Sequence, residues 1–393
     1  MRIDLLRGLP REVGVLTAVA FMIALGFGIV APALPVFAHQ FGVGRTAAAA
    51  VISVFAFVRF VSALGSGRLV DRFGERLLLA AGIGIVAVSS LLAGLSQSYV
   101  QLVVLRGAGG LGSALFTISA FNLLMRSVGP DLRGRAAGVY QSGFLIGGIT
   151  GPTLGGLLTA VSIRAPFFVY AGTLAVAGTI GLVFLSRARL GKRPAEEHKE
   201  ERVTLTEALR SSAYRAALAT NLAAGWSFFG VRSAIIPLFV VEGLHEDPLW
   251  TGVGFAVASC TQALSLLPAG RLADTRGRRP SMATGILIAA TSMAVLAAVP
   301  SLPGFLVAMV LLGPGASFLT VASGAIVGDV ASGRSGKVVA AYQMSRDAGT
   351  ITGPLAAGAL AQTLSYEASF AASAGILGVA AGLAVTSRET HRT

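Results

Sequence analysis

Apolar runs long enough to cross a lipid bilayer recur twelve times in this chain, and no other feature constrains its fold as tightly. A helix needs about 20 apolar residues to cross the hydrocarbon core. The runs cover approximately 13–37, 47–69, 77–95, 99–125, 136–160, 165–186, 213–241, 249–270, 281–300, 303–328, 338–362 and 366–386 of the 393 residues. Inside hydrocarbon every backbone N–H and C=O must be satisfied by the protein itself, which leaves helices and closed barrels. A barrel would show short alternating segments, whereas these runs are continuous. The sequence therefore predicts an all-α membrane protein with 12 transmembrane helices. Composition agrees: 54% of residues are hydrophobic, only 12% are charged and mean hydropathy is +0.75, against about 25% charged in soluble proteins.

The net charge of +13 raises the question of nucleic acid, which requires a basic patch on a soluble face. The basic residues instead follow the positive-inside pattern. With the N-terminus placed in the cytoplasm, 25 of the 31 Lys and Arg fall on cytoplasmic segments, while Arg45 and Arg164 alone face the other side. The sequence thus predicts a multi-pass protein of the cell membrane, with both termini cytoplasmic and no nucleic-acid partner. The first run is about 25 residues long, beyond the 7–15 of a signal-peptide core, and reads as an uncleaved first span. Cys260, the single cysteine, reads as a small buried apolar side chain. The four histidines lie at or beyond the ends of apolar runs without ligand-like spacing. No metal and no cofactor is expected.

Connections are short except for the polar stretch 187–212, which follows six spans and precedes six more. It reads as a cytoplasmic linker, either carrying a short surface helix near Glu196–Arg202 or flexible throughout. The two sides of it are copies. "YQSGFLIGGITGPTLGGLL" from Tyr140 aligns with "YQMSRDAGTITGPLAAGAL" from Tyr342, at an offset of 202 residues. "FGIVAPALPVF" from Phe27 aligns with "FGVRSAIIPLF" from Phe229 at the same offset, and "GRLVDRFGER" from Gly67 with "GRLADTRGRR" from Gly270 at 203. The halves predicted are 1–186 and 213–393. An even number of spans gives both copies one orientation, so a pseudo-two-fold axis along the membrane normal is expected, as in transporters built from parallel repeats.

These motifs resemble those of the major facilitator superfamily along the whole chain. Gly67, Leu69, Asp71, Arg72, Gly74 and Arg76 match the loop signature between the second and third spans, with Glu75 departing where a basic residue is usual. Gly270, Leu272, Asp274, Gly277, Arg278 and Arg279 match in the second copy, with Thr275 departing. Arg106, Gly107, Gly109 and Gly112 loosely resemble the fourth-span motif. Gly147, Gly151, Pro152, Gly155 and Gly156 resemble the fifth-span motif of the proton-coupled, 12-span drug exporters. The resemblance implies alternating access, export in exchange for protons, and a loop latch that holds one state of the cycle. For the loop residues the competing reading is topology and solvation alone.

Physical reading of the same residues adds detail. Gly147, Gly151 and Gly155 share one helix face and admit a neighbouring helix closely, while Pro152 removes a backbone donor. With Gly353 and Pro354 in the second copy they read as a pliable inter-half seam or as ordinary close packing. Charges at bilayer depth are costly and face a cavity or a partner. Arg59, Arg232, Arg346 and Asp347 lie near the midplane and Arg106 is shallower. Asp347 is the one acid at such depth, paired with Arg232 or Arg346. It reads as a proton carrier or as half of a structural ion pair, and Arg106 is open in the same way. Gln141, Gln343 and Trp226 line a cavity or bond helix to helix. The surplus of basic groups hints at a neutral, anionic or zwitterionic solute.

No nucleophile elbow, paired carboxylates or phosphate-cradling loop occurs in the sequence, so it does not read as an enzyme. The reading is a monomeric secondary transporter exporting small organic molecules against protons. A proton symporter or uniporter for a metabolite is the alternative within transport. A transport-inactive receptor or scaffold is the alternative outside it.

Overall fold

The computed structural model describes residues 9–129, 132–185, 204–331 and 336–390. Most of the polar stretch 187–212, including the helix considered at Glu196–Arg202, lies outside the described residues. So do the side chains of Gly67 and Asp71.

Among the described residues all regular structure is helical. The order begins α1 (Arg11–Val30), α2 (Ala33–His39), α3 (Arg45–Phe73), α4 (Glu75–Gly94), α5 (Tyr99–Ser127), α6 (Arg133–Val161) and α7 (Ala165–Leu185). After the central stretch come α8 (Leu205–Arg210), α9 (Ser212–Ala224), α10 (Arg232–Ala234) and α11 (Ile236–Leu238). The chain ends with α12 (Leu249–Thr275), α13 (Arg278–Ala298), α14 (Leu302–Ala331), α15 (Gly336–Thr363) and α16 (Tyr366–Thr386).

Eleven segments are long and apolar enough to cross a membrane among the described residues. The twelfth predicted run, 338–362, is a continuous helix within α15 but is not one of the eleven. Gln343, Arg346, Asp347 and Gln362 lower its hydropathy. The first run is divided between α1 and α2 at Ala31 and Pro32, because proline cannot donate to the helix ladder. The seventh is irregular: Gly225–Val231 and Phe239–Gly243 are wide π turns on either side of α10 and α11, with Pro237 between them. Such turns are uncommon and cluster at functional sites.

The chain forms two compact units, residues 1–33 with 54–198 and residues 34–53 with 199–393. In the first, α1 packs on α6 and α7, and α4 packs on α5 and α7. In the second, α13 packs on α14 and α16, α12 packs on α14, and α15 packs on α9 and the π turn that follows it. Lipid offers no hydrophobic drive between helices, so close packing of small residues must hold them. Gly82 and Gly112 do this between α4 and α5, as do Gly285 and Gly315 between α13 and α14. Large apolar side chains such as Val161, Leu264, Leu267 and Val379 remain largely exposed, as a lipid-facing surface requires. Cys260 is exposed on α12 as well, against the expectation of burial: in a bilayer an apolar side chain gains nothing by turning inward. Outside the membrane runs, α8 opens on a capping box in which Thr204 and Glu207 bond reciprocally. The Thr204 backbone N–H holds the Glu207 carboxyl below the usual carboxylate range.

The internal repeat has a local geometric counterpart in each unit. In the first, Gly28 lies against Gly151 and Pro152. In the second, Gly230 lies against Gly353 and Pro354. All three pairs keep the offset of 202 residues.

Candidate functional site

The membrane arginines fall into two kinds. Arg346 on α15 donates from Nη2 to Gln343 Oε1 at 2.6 Å and lies over the Phe229 ring at 5.4 Å. Arg59 and Asp347 also have partners. Arg106 and Arg232 make no side-chain hydrogen bond or ion pair among the described residues. Arg106 is 2% exposed on α5, with its guanidinium 4.3 Å from the Phe55 ring centroid. Arg232 opens α10 directly after the first π turn, 4.7 Å from the Phe255 ring centroid. Of the two partners expected for Asp347, Arg232 and Arg346, Arg232 makes no ion pair among the described residues. Arg232 and Asp347 stand on separate elements, α10 and α15, so their proximity could not be read from the sequence.

The amphipathic candidates are placed individually. Trp226 donates from its indole N–H to Ser373 Oγ at 3.0 Å, tying the first π turn to α16. Gln343 is engaged by Arg346, and Gln141 is exposed on α6. Gly147, Gly151 and Gly155 all face the backbone of α1, near Phe21, Leu25 and Ile29, within the first unit. Gly156, beside them, is buried.

At the two signature loops the backbone takes positive φ, 86° at Gly74 and 108° at Gly277, each just before a helix. Glycine reaches this region without steric cost. In the first loop Arg72 lies over the Phe73 ring at 5.4 Å and Arg76 follows on α4. Glu75, the residue that departs from the family pattern, is buried and 2.7 Å from Arg126 Nη1. Glu75→Ala would leave Arg126 without this carboxylate and is expected to lower stability by about 2 kcal/mol. The paired replacement Glu75→Gln with Arg126→Met should recover most of that, as thermal unfolding in detergent would measure. In the second loop Arg278 Nη1 lies 3.3 Å from Asp274 Oδ1 and donates to Ala273 O at 2.8 Å. Arg278 Nε lies 3.3 Å from Asp329 Oδ2. The Glu389 carboxylate accepts from the backbone N–H groups of Arg278 and Arg279 at 2.9 and 3.1 Å. It thereby satisfies donors that a helix start leaves open. A Cβ on Gly270, at the head of this motif, would meet nothing within 4 Å beyond its own helix.

A constellation that sequence reasoning missed lies at the end of the second unit farthest from the central stretch. Glu242, in the second π turn, accepts from Arg45 Nε at 2.9 Å and from the Tyr366 hydroxyl at 2.9 Å. Its other oxygen is 3.1 Å from His39 Nε2. Arg45 also donates to Ala361 O at 2.7 Å and lies over the Tyr366 ring at 4.3 Å. The Thr46 N–H donates to Gln362 Oε1 at 3.1 Å, and the Ser53 hydroxyl to Ile351 O at 2.7 Å. One carboxylate thus collects an arginine, a tyrosine and a histidine from three separate helix ends. Glu242 and Arg45 stand about 200 positions apart in sequence at span ends, where charges are ordinary. The one signal in the sequence was that Arg45 is one of the two basic residues expected opposite the cytoplasmic side.

Comparison with known proteins follows the same lines. The Major Facilitator Superfamily profile matches residues 16–259 and 225–393. The chain is 27% identical over 367 residues to multidrug resistance protein MdtG of Citrobacter koseri, covering 91% of this chain and 90% of that one. It is 27% identical over 370 residues to MdtG of Escherichia coli, covering 91% and 89%. Among solved structures, a bacterial homolog of the human lysosomal transporter Spinster, inward-facing and unoccupied, superposes with a TM-score of 0.77. Identity there is 15%, with 95% of each chain covered. The nucleoside transporter NupG superposes with a TM-score of 0.72 at 14% identity, covering 95% of this chain and 98% of that one. At such identities the likeness concerns the fold alone.

Proposed function

Because this chain belongs to the major facilitator superfamily, a family of membrane transporters and not of enzymes, we propose that it exports small organic molecules by alternating access, driven by protons. The observation that carries export is the likeness to multidrug resistance proteins along nine tenths of the chain, 91% in each case. The fifth-span segment Gly147–Gly156 supports the same direction.

In this reading α15 is the twelfth span. The chain is then a monomer of two six-helix halves, 1–186 and 213–393, related by a pseudo-two-fold axis, with both termini cytoplasmic. Residues 34–53 belong by sequence to the first half yet pack in the second unit. The Arg45–Glu242–Tyr366 contact is then a clasp that holds one state of the cycle and opens in the other. The signature loops, Gly67 to Arg76 and Gly270 to Arg279, serve as the latch of the opposite face. The Gly-Pro segments serve as close packing inside each unit, α6 on α1 in the first and α15 on the first π turn in the second. Asp347, the acid set at bilayer depth by α15, carries the proton.

The test is transport in proteoliposomes under an imposed pH gradient, with a panel of neutral, anionic and cationic solutes. Uphill movement driven by the gradient is expected. Asp347→Asn and Arg106→Ala should each reduce it at least about tenfold, the loss of one interaction made in the cycle. Wild-type rates in both variants would remove these residues from the coupling path. Solute and protons moving in the same direction would favour the symporter, and movement indifferent to the gradient the uniporter.

A further inference from the structure

Each unit holds a guanidinium in its membrane interior that makes no hydrogen bond or ion pair among the described residues. Arg106 is 2% exposed, and its Nε is buried without a hydrogen-bond partner. Arg232 Nη2 is likewise buried and unpartnered. An arginine side chain carries five donors and keeps its charge throughout the accessible pH range. The rings of Phe55 and Phe255, at 4.3 and 4.7 Å, return part of the lost hydration through the ring face. They accept none of the N–H groups in the plane of the guanidinium.

The protein's own carboxylates do not make up the difference. Among the described side chains in the membrane segments of the first unit the acids are Glu12 and Glu75, both in first turns, and Glu75 is taken by Arg126. In the seventh span the one acid is Glu242, engaged by Arg45, Tyr366 and His39 at the far end. Asp347 forms no ion pair with Arg232. A buried charge in a spanning segment normally has a partner, so a ligand is left to supply one.

We propose that the transported solute is an organic anion bearing a carboxylate, which Arg232 engages through its free donors. Arg106 offers a second such fork inside the first unit. A carboxylate matches the planar guanidinium fork with two parallel hydrogen bonds. This inference rests on the transporter reading above and names the substrate class for it.

The experiment uses the full chain and three solutes with one ring system: 1-naphthoate, 1-naphthamide and 1-naphthylmethylammonium. Binding is measured by calorimetry in nanodiscs and movement in proteoliposomes under a pH gradient of either sign. Naphthoate should bind at least about tenfold more tightly than the amide, the equivalent of one charge-assisted contact. Arg232→Gln should erase that preference, and Arg232→Lys should keep part of it. Arg106→Gln provides a second variant if Arg232→Gln does not fold. Ammonium binding as tight as naphthoate binding, equal weakening of all three solutes by Arg232→Gln, or no naphthoate binding at all would overturn the anion assignment. Uphill movement of the ammonium alone would do so while leaving the transporter reading intact. Selective, Arg232-dependent binding of naphthoate without movement under either gradient would uphold the anion site and overturn transport.

Discussion

Glu242→Ala is expected to lower solute turnover at least about tenfold, because one substitution removes the acceptor of two hydrogen bonds and the neighbour of His39. Arg45 Nε and the Tyr366 hydroxyl each lie 2.9 Å from Glu242 Oε2, and His39 Nε2 lies 3.1 Å from Oε1. The Arg45 and Glu242 side chains are 32% and 20% exposed, so solvent screens part of the attraction. Discounted for that, the contacts together contribute about 3 kcal/mol. A ligand or mutation moves a two-state equilibrium only by its differential energy, and 3 kcal/mol is about a hundredfold. The cycle would then dwell in the state without the clasp. Tyr366→Phe keeps the ring beneath Arg45 and loses one hydroxyl, so about 1 kcal/mol and a fivefold effect are expected. Arg45→Ala should fall near Glu242→Ala, since it also loses the bond to Ala361 O. Hydrogen exchange over residues 39–48 reads the same event without transport. Protection there should drop about tenfold or more in Glu242→Ala, and unchanged protection would exclude a clasp.

Why this clasp escaped the sequence while the spans did not follows from how each is encoded. A span is local: about 20 consecutive apolar residues suffice, and ten of the runs beyond the first reappear as spanning helices within a few residues. Only the run holding Arg346 and Asp347 differs in its apolar rating. The repeat was legible because Gly28, Gly151 and Pro152 recur at 230, 353 and 354, and the structure gives those residues matching contacts in each unit. The clasp is non-local. Glu242 and Arg45 are separated by 197 positions, and nothing in either neighbourhood marks the other. The π turns at Gly225–Val231 and Phe239–Gly243 were equally hidden, since Pro237 announces irregularity but not its form. Arg106 and Arg232 were visible as buried charges. That neither has an acceptor could be seen only once the surrounding helices were in place.

Gly151→Leu is expected to prevent recovery of folded protein, with a cost of at least about 3 kcal/mol, at or beyond the upper end of overpacking substitutions. A Cβ on Gly151 would stand 2.5 Å from Leu25 O and 2.7 Å from Gly28 Cα. One turn earlier, a Cβ on Gly147 would stand 2.5 Å from Phe21 O and 2.8 Å from Leu25 N. These neighbours are backbone, which cannot rotate aside as a side chain would. Separating α1 from α6 would forfeit their shared packing, and lipid supplies no compensating hydrophobic drive to bring them together again. Gly148 is the internal control: it adjoins Gly147 on the same helix, and a Cβ there would meet nothing within 4 Å. Gly148→Leu should stay within about 0.5 kcal/mol of the parent. The second unit repeats the contrast at Gly353, where a Cβ would stand 2.9 Å from Trp226 O. Size-exclusion profiles and thermal unfolding of detergent-purified variants would read the difference. Equal behaviour of Gly151→Leu and Gly148→Leu would mean that α1 and α6 can separate freely. The Gly-Pro face would then not be the contact that sets their distance.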